Sequence, residues 1–251
     1  MKKVLAAALL CTVSAFATWD YFPVKEAGKG EAKVGFGYNM FGDASAMGLN
    51  LGARFSVIEG LEVALMLQGG QVGLMSVPGF VLSNDPFDDA TGLAQPSIGV
   101  RYWLPMGLGF GVDLVLPFGS EDLVGKDPDM AIGLAVQYSM KTGDIEIGAE
   151  VGTSISMADA DPGMPLNIGV ELDYSLGSIT PFVGVGLSVG LTKGDMPEAA
   201  KMGIMPTVGA IFNINDMMSA DVGIGFGLGD GYTGGGDDMP INIGANFSLN
   251  F

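Results

Sequence analysis

Between Met47 and Val57 the apolar residues Met47, Leu49, Leu51, Ala53, Phe55 and Val57 alternate strictly with Gly48, Asn50, Gly52, Arg54 and Ser56. A period of two sends successive side chains to opposite faces, so the run predicts a strand with one apolar and one polar face. The same pattern recurs to the end of the chain. It predicts strands near 31–40, 46–57, 61–70, 94–104, 108–118, 130–140, 145–157, 165–176, 179–191, 204–214, 218–228 and 240–251. No segment shows helical periodicity over a useful length. Each predicted strand is long enough for the roughly 9–11 tilted residues that cross a bilayer.

The connections alternate in length as well. Ile58-Glu59-Gly60, Pro105-Met106, Lys141 to Asp144, Gly177-Ser178 and Asn215-Asp216-Met217 read as tight turns, and longer links fall at 71–93, 119–129, 158–164, 192–203 and 229–239. Only 41–45 departs from this alternation. Two unlike ends and about twelve strands predict an all-β fold, a closed antiparallel up-and-down transmembrane barrel with both termini at the short-turn end.

Charge decides which face is outside. The apolar parity carries no charged residue, whereas Lys33, Arg54, Glu62, Arg101, Asp113, Glu146, Glu150, Glu171, Asp173 and Asp221 fall on the other parity among Gly, Ser, Asn and Gln. A soluble lipocalin-like barrel would coat its exterior with Lys and Glu. The glycine-rich polar face here suits a narrow, curved interior, so the apolar face is expected to meet lipid and the charges to line the lumen. Phe55, Tyr102, Tyr138, Tyr174, Phe212 and Phe247 lie on the apolar parity near the short-turn ends of even-numbered strands. Aromatic rings belong at headgroup level, so these six are expected to form a girdle. Pro96, Pro165, Pro206 and Pro240 open descending strands, where no ladder donor is yet needed.

Composition narrows the reading further. Charged residues make up 16% of the chain, below the roughly 25% usual for soluble domains. The formal charge is −17, which argues against nucleic acid, whose phosphates require a basic face. Lys2, Lys3, the apolar stretch Val4 to Phe16 and Ala15-Phe16-Ala17 predict a secretory signal peptide over 1–17. A short periplasmic segment over 18–30 and a barrel over 31–251 would follow. Cys11, the only cysteine, would leave with the leader, so neither disulfides nor a Cys/His metal site are expected, and no cofactor.

A final strand "INIGANFSLNF", with apolar alternation through Phe247 and Leu249 to a terminal Phe251, resembles that of Gram-negative outer-membrane β-barrels. The resemblance implies recognition of this strand by the barrel-assembly machinery, and outer-membrane lipid and lipopolysaccharide as surroundings. A narrower resemblance rests on "TGLAQPSIGVRYWLP" and "VDLVLPFGSEDLVGKDPDMAIGLAVQYS", with Arg101-Tyr102 and Leu116-Pro117-Phe118-Gly119. These look similar to transporter-like barrels of phenol-degradation pathways, although Gln95 replaces the family's usual acidic residue. That likeness would imply uptake of small hydrophobic molecules.

Candidate chemistry is sparse. The chain contains no histidine, which removes His-based triads and dyads. Carboxylate-only catalysis through Glu150, Glu171 and Asp173 competes with the simpler reading of a hydrated polar lumen. The bases on strands one to four and the carboxylates on strands seven, eight and eleven predict a transverse field favouring cations or polar neutral solutes. Local pairing, Arg54 with Glu62 for instance, would instead plug the lumen. Passive transport of small solutes and a non-conducting surface-interaction barrel therefore both stand. The long links are acidic (Asp85, Asp88, Asp89, Glu121, Asp122, Asp127, Asp129, Asp159, Asp161, Asp230, Asp237 and Asp238) and could bridge divalent cations to lipopolysaccharide. Methionines near loop ends, such as Met130, Met157 and Met196, carry thioethers of the kind that bind Cu(I), but flexible apolar filler at the rim is the simpler and preferred reading.

Overall fold

A computed structural model describes residues 21–24, 26–42, 44–72, 75–84, 91–157, 164–191, 202–229 and 239–251. The expected leader, Asp85, Asp88, Asp89, Asp159, Asp161, Met196, Asp230, Asp237 and Asp238 lie outside these residues. Among the described residues, the strands in chain order are β1 (Gly30–Phe41), β2 (Ala44–Ile58), β3 (Leu61–Val72), β4 (Met75–Pro78), β5 (Phe80–Asn84), β6 (Gly92–Leu93), β7 (Ser97–Trp103) and β8 (Leu108–Val115). A one-turn helix, α1 (Glu121–Val124), follows. Then come β9 (Ala131–Thr142), β10 (Ile145–Ser156), β11 (Pro165–Tyr174), β12 (Ile179–Gly190), β13 (Gly203–Asn215), β14 (Met218–Phe226) and β15 (Ile241–Asn250).

β1–β3 and β7–β15 form one antiparallel barrel of twelve strands, each hydrogen-bonded to the next. It closes where β1 pairs with β15, from Glu31↔Asn250 to Met40↔Ile241. Closure matters because a free strand edge in hydrocarbon would leave a row of backbone groups with no partner, at several kcal/mol each. The seam extends to the last residue: Gly30 N–H donates to the Phe251 carbonyl at 2.8 Å, and Phe251 N–H donates back to Gly30 at 3.0 Å.

The alternation is realised as expected. Val34, Leu65 and Val183 stand more than half exposed on the outer face, and the inward parity is glycine and polar side chains. In water such an exterior would be costly, whereas against lipid it is the stable arrangement. Clusters of buried apolar residues are correspondingly small: Ala64 with Met66, and Phe182 with Ile211, all on inward positions. The tight turns hold by backbone bonds. At Gly60 (φ 77°) the carbonyl accepts Trp103 N–H at 2.7 Å, and an added Cβ would meet the Trp103 carbonyl oxygen.

Two features depart from the sequence expectation. β7 begins at Ser97 and β8 ends at Val115, three residues short of the expected bounds in each case. Pro96 and Pro117 lack the N–H that would extend the ladder, although Leu116 N–H still reaches the Pro96 carbonyl at 2.8 Å. The stretch 71–93, expected as a plain link, holds part of the wall. Beyond Leu51↔Leu67, β2 and β3 separate. The outer end of β3 turns back onto β4, and β5 takes the place beside β2 from Leu49↔Phe80 to Ala46↔Asn84. Phe80 and Leu82 point outward and Val81 is fully buried, so β5 continues the apolar-out pattern. Gly79, between β4 and β5, donates its N–H to Asn50 Oδ1 at 3.0 Å.

Candidate functional site: the barrel lumen

Near the short-turn end, β1, β2 and β3 bring four inward charges together. Arg54 Nε donates to Glu31 Oε2 at 2.8 Å and its Nη2 lies 2.7 Å from the same oxygen. Arg54 Nη1 stands 3.7 Å from Glu62 Oε1, and Lys33 Nζ 3.8 Å from Glu31 Oε1. On the next strands Arg101 Nη2 lies 3.6 Å from Asp113 Oδ2. Asp221 accepts a hydrogen bond from Asn246 Nδ2 at 2.6 Å. Glu171 and Asp173 of β11 are buried beside β10, where Asp173 is the cross-strand partner of Glu146. Glu146 lies 3.2 Å from Lys141 Nζ, and Glu150 accepts from Gln137 Nε2 at 2.5 Å.

The expected separation of bases from carboxylates therefore holds only in part. Glu31 and Glu62 neutralise Arg54, and Asp113 neutralises Arg101, within the basic arc itself. The transverse field shrinks to the carboxylates of β10, β11 and β14. Buried pairs of this kind break even against desolvation only when geometry is good, and here two Arg54 nitrogens, Nε and Nη2, close on a single Glu31 oxygen. Glu31 was not among the expected lumen charges because it stood at the edge of the predicted first strand. Its parity with Lys33 was the signal that could have found it.

A second unexpected element enters from the N-terminal side. Residues 18–30 were expected as a short periplasmic segment, and among those described Tyr21 to Val24 reach into the barrel. Phe22 is buried, its carbonyl oxygen accepts Arg54 Nη1 at 2.6 Å, and Val24 N–H donates to Glu62 Oε2 at 2.9 Å. On the other side the Tyr21 hydroxyl lies over Gly169 and the Phe22 ring over Gly148. A Cβ at Gly148 would fall 2.5 Å from Tyr21 Cβ, so these inward glycines are what admit the two aromatic rings. β11 is six strands from β2 in either direction around the barrel. The segment thus straps one wall to the opposite one.

The strap leaves the lumen divided. On β15, β1 and β2 the inward residues, including Asn242, Asn246, Gly35, Asn39 and Asn50, are buried. On β9 and β10 the inward Gly133, Ala135, Glu150, Gly152 and Ser154 stay partly exposed, and on β8 so does Asp113. Below them Gln137, Ser139 and Gly148 are buried. This side of the lumen is accessible down to Glu150 and closed beneath it.

On the outer face Phe55, Tyr102, Tyr138, Tyr174, Phe212 and Phe247 are all exposed, as are Leu249 and Phe251. Trp103, adjacent to Tyr102, points inward onto Gly109 and is buried. Glu121, Asp122, Asp127 and Asp129 are exposed on the link between β8 and β9.

No family model matches the sequence, and no curated protein does. Solved structures do match. The COG4313 outer membrane channel from Pseudomonas putida F1 aligns with a TM-score of 0.64 at 13% identity, covering 92% of this chain and 98% of that one. The NanC porin aligns at 0.57 and 9%, covering 87% and 98%. The CymD monoaromatic hydrocarbon channel aligns at 0.50 and 8%, covering 90% and 88%. At such identities the likeness is one of fold: the chain is a closed twelve-stranded barrel of the kind that outer-membrane channels and porins share.

Proposed function

We propose that this protein is exported through a cleaved leader to the outer membrane of a Gram-negative bacterium and serves there as a passive channel for small solutes, with no catalytic step. The observation that carries the reading is the divided lumen. A polar, glycine-lined face stays open to solvent on β8–β10, within a wall whose other face is apolar throughout. A barrel serving only as a surface scaffold has no need of such a face. The fold shared with outer-membrane channels supports the same conclusion.

The solutes are polar. The narrower resemblance would imply hydrophobic molecules, which require an apolar lining. Of the larger inward apolar side chains, Met66 on β3, Trp103 on β7, Phe182 on β12 and Met205 on β13 are buried, and Ile211 on β13 is half-buried. The accessible face offers Gly, Ala, Ser and carboxylates instead, with Val115 as its one larger apolar side chain at the outer end of β8. Tyr21 to Val24 form the barrier to flow at the short-turn end, so transport requires this strap to shift. Liposome swelling with sugars, amino acids and aromatic acids tests the reading. Swelling by small polar solutes is expected, and its absence for every solute, even with Tyr21 and Phe22 replaced by alanine, would refute it.

A further inference from the structure

Two anchors hold the strap, and they differ in kind. On the near side it runs into β1 through Glu26 to Gly30, a turn bonded to β2 in both directions. Gly28 N–H donates to the Ser56 carbonyl and Ser56 N–H donates to the Lys29 carbonyl, each at 2.8 Å. Val24 N–H and the Phe22 carbonyl then hold the charged side chains of Glu62 and Arg54, and bonds with one ionised partner are the stronger kind. On the far side the Tyr21 hydroxyl lies over Gly169 and the Phe22 ring over Gly148. A glycine gives a ring a seat but no side chain to grip it.

The seal is also thinnest on the far side. Along β10 Glu150 is half-buried above, Gly148 is buried, and the Glu146 side chain below is 27% exposed. On β9 Ser139, the cross-strand partner of Gly148, is buried, and Lys141, the partner of Glu146, is 62% exposed. Solvent thus reaches β10 from both ends, and the single inward residue Gly148 carries the seal there. On β15, β1 and β2, by contrast, burial continues from Ser248, Lys33 and Arg54 up to Asn242 and Asn39. Beside the covered glycine, Ser139 Oγ has no hydrogen-bond partner among the described residues. A buried hydroxyl left unpaired is unfavourable, so water admitted to Ser139 offsets part of the cost of lifting the rings.

We propose that the strap is a door. It is hinged on β2 and β3 by the Gly28 turn and the two charged bonds, and it swings off β10 and β11. The swing joins the open sector to the short-turn end along Ser139 and Gly148, whereas release on the near side would lead only into the packed sector. The proposal rests on the channel reading for its purpose, but its motion is read without ion flow. Cys11, within the expected leader, is the only native cysteine, so an introduced thiol reports alone. Ser139→Cys and Ser248→Cys, both nearly isosteric and buried, place one thiol behind the door and one in the packed sector. In the purified barrel a water-soluble methanethiosulfonate should modify Ser139→Cys roughly tenfold faster than Ser248→Cys, because labelling waits on local opening. Adding Tyr21→Ala/Phe22→Ala should speed the first reaction and leave the second slow. Equal rates at the two thiols, or a Ser139→Cys rate that the double alanine change leaves unaltered, would overturn the door. Tyr21→Cys/Gly148→Cys locks the free edge by a disulfide confirmed by mass, since the two Cβ positions abut. In planar bilayers the oxidised form should be silent and the reduced form should conduct. Equal conductance in both forms would refute the door and keep the channel. Labelling as expected, with no conductance in the reduced form, would keep the door and refute the channel.

Discussion

Two sectors of one wall carry nearly the same inward residues and behave differently. β15, β1 and β2 present Gly, Asn and Ser to the lumen with the charges Glu31, Lys33 and Arg54, and β8, β9 and β10 present Gly, Ala, Ser and a few carboxylates. The first sector is buried, knitted by Arg54–Glu31–Glu62, Asn246–Asp221 and the Asn50–Gly79 bond. The second stays open to solvent above Gln137. Strand pattern builds both sectors alike, so the difference comes from what crosses the lumen and which charges find partners. Structure is concentrated in one sector, and room for a solute remains in the other.

That contrast is most sharply tested by removing its hub. Arg54→Ala leaves Glu31 and Glu62 buried without their shared guanidinium. It should destabilise the barrel by about 3–5 kcal/mol, read as a lower urea midpoint for the heat-modifiable folded band. A bulky residue distinguishes the sectors next. In the packed sector, where even a Cβ on Gly35 would meet Asn246 Oδ1, Gly35→Trp should cost about 1–3 kcal/mol by the same assay. Ala135→Trp in the open sector should leave the midpoint nearly unchanged and slow solute entry in liposome swelling. Equal losses at both positions would erase the distinction. The smallest effect is expected at the exposed Lys141–Glu146 pair, where Lys141→Ala should cost about 0–1 kcal/mol, further reduced by salt.

Much of this architecture was legible because period-two alternation over ten or more residues has few readings. Twelve strands, their short turns and the outward parity of the six aromatics Phe55, Tyr102, Tyr138, Tyr174, Phe212 and Phe247 can be read from alternation of the kind seen over Met47 to Val57. β4, β5 and β6 could not, since strands of four, five and two residues do not repeat the alternation enough to be seen. The inward parity placed the lumen charges on the wall but not beside one another. Whether Arg54 faces Glu62 or open water depends on register and side-chain packing across strands. The strap was least visible of all. Tyr21-Phe22-Pro23-Val24 is an ordinary apolar stretch in sequence, and only the opposing glycines of β10 and β11, distant in the chain, give its rings a seat.

The central claim is that solutes pass along the open sector once the strap shifts. The conductance of the double variant Tyr21→Ala/Phe22→Ala in planar bilayers, with and without Ala135→Trp, tests it most directly. The account predicts a conductance above that of the parent protein, and its reduction when Ala135→Trp fills the open sector. No conductance once the strap is weakened, or a conductance that Ala135→Trp leaves unchanged, would contradict it.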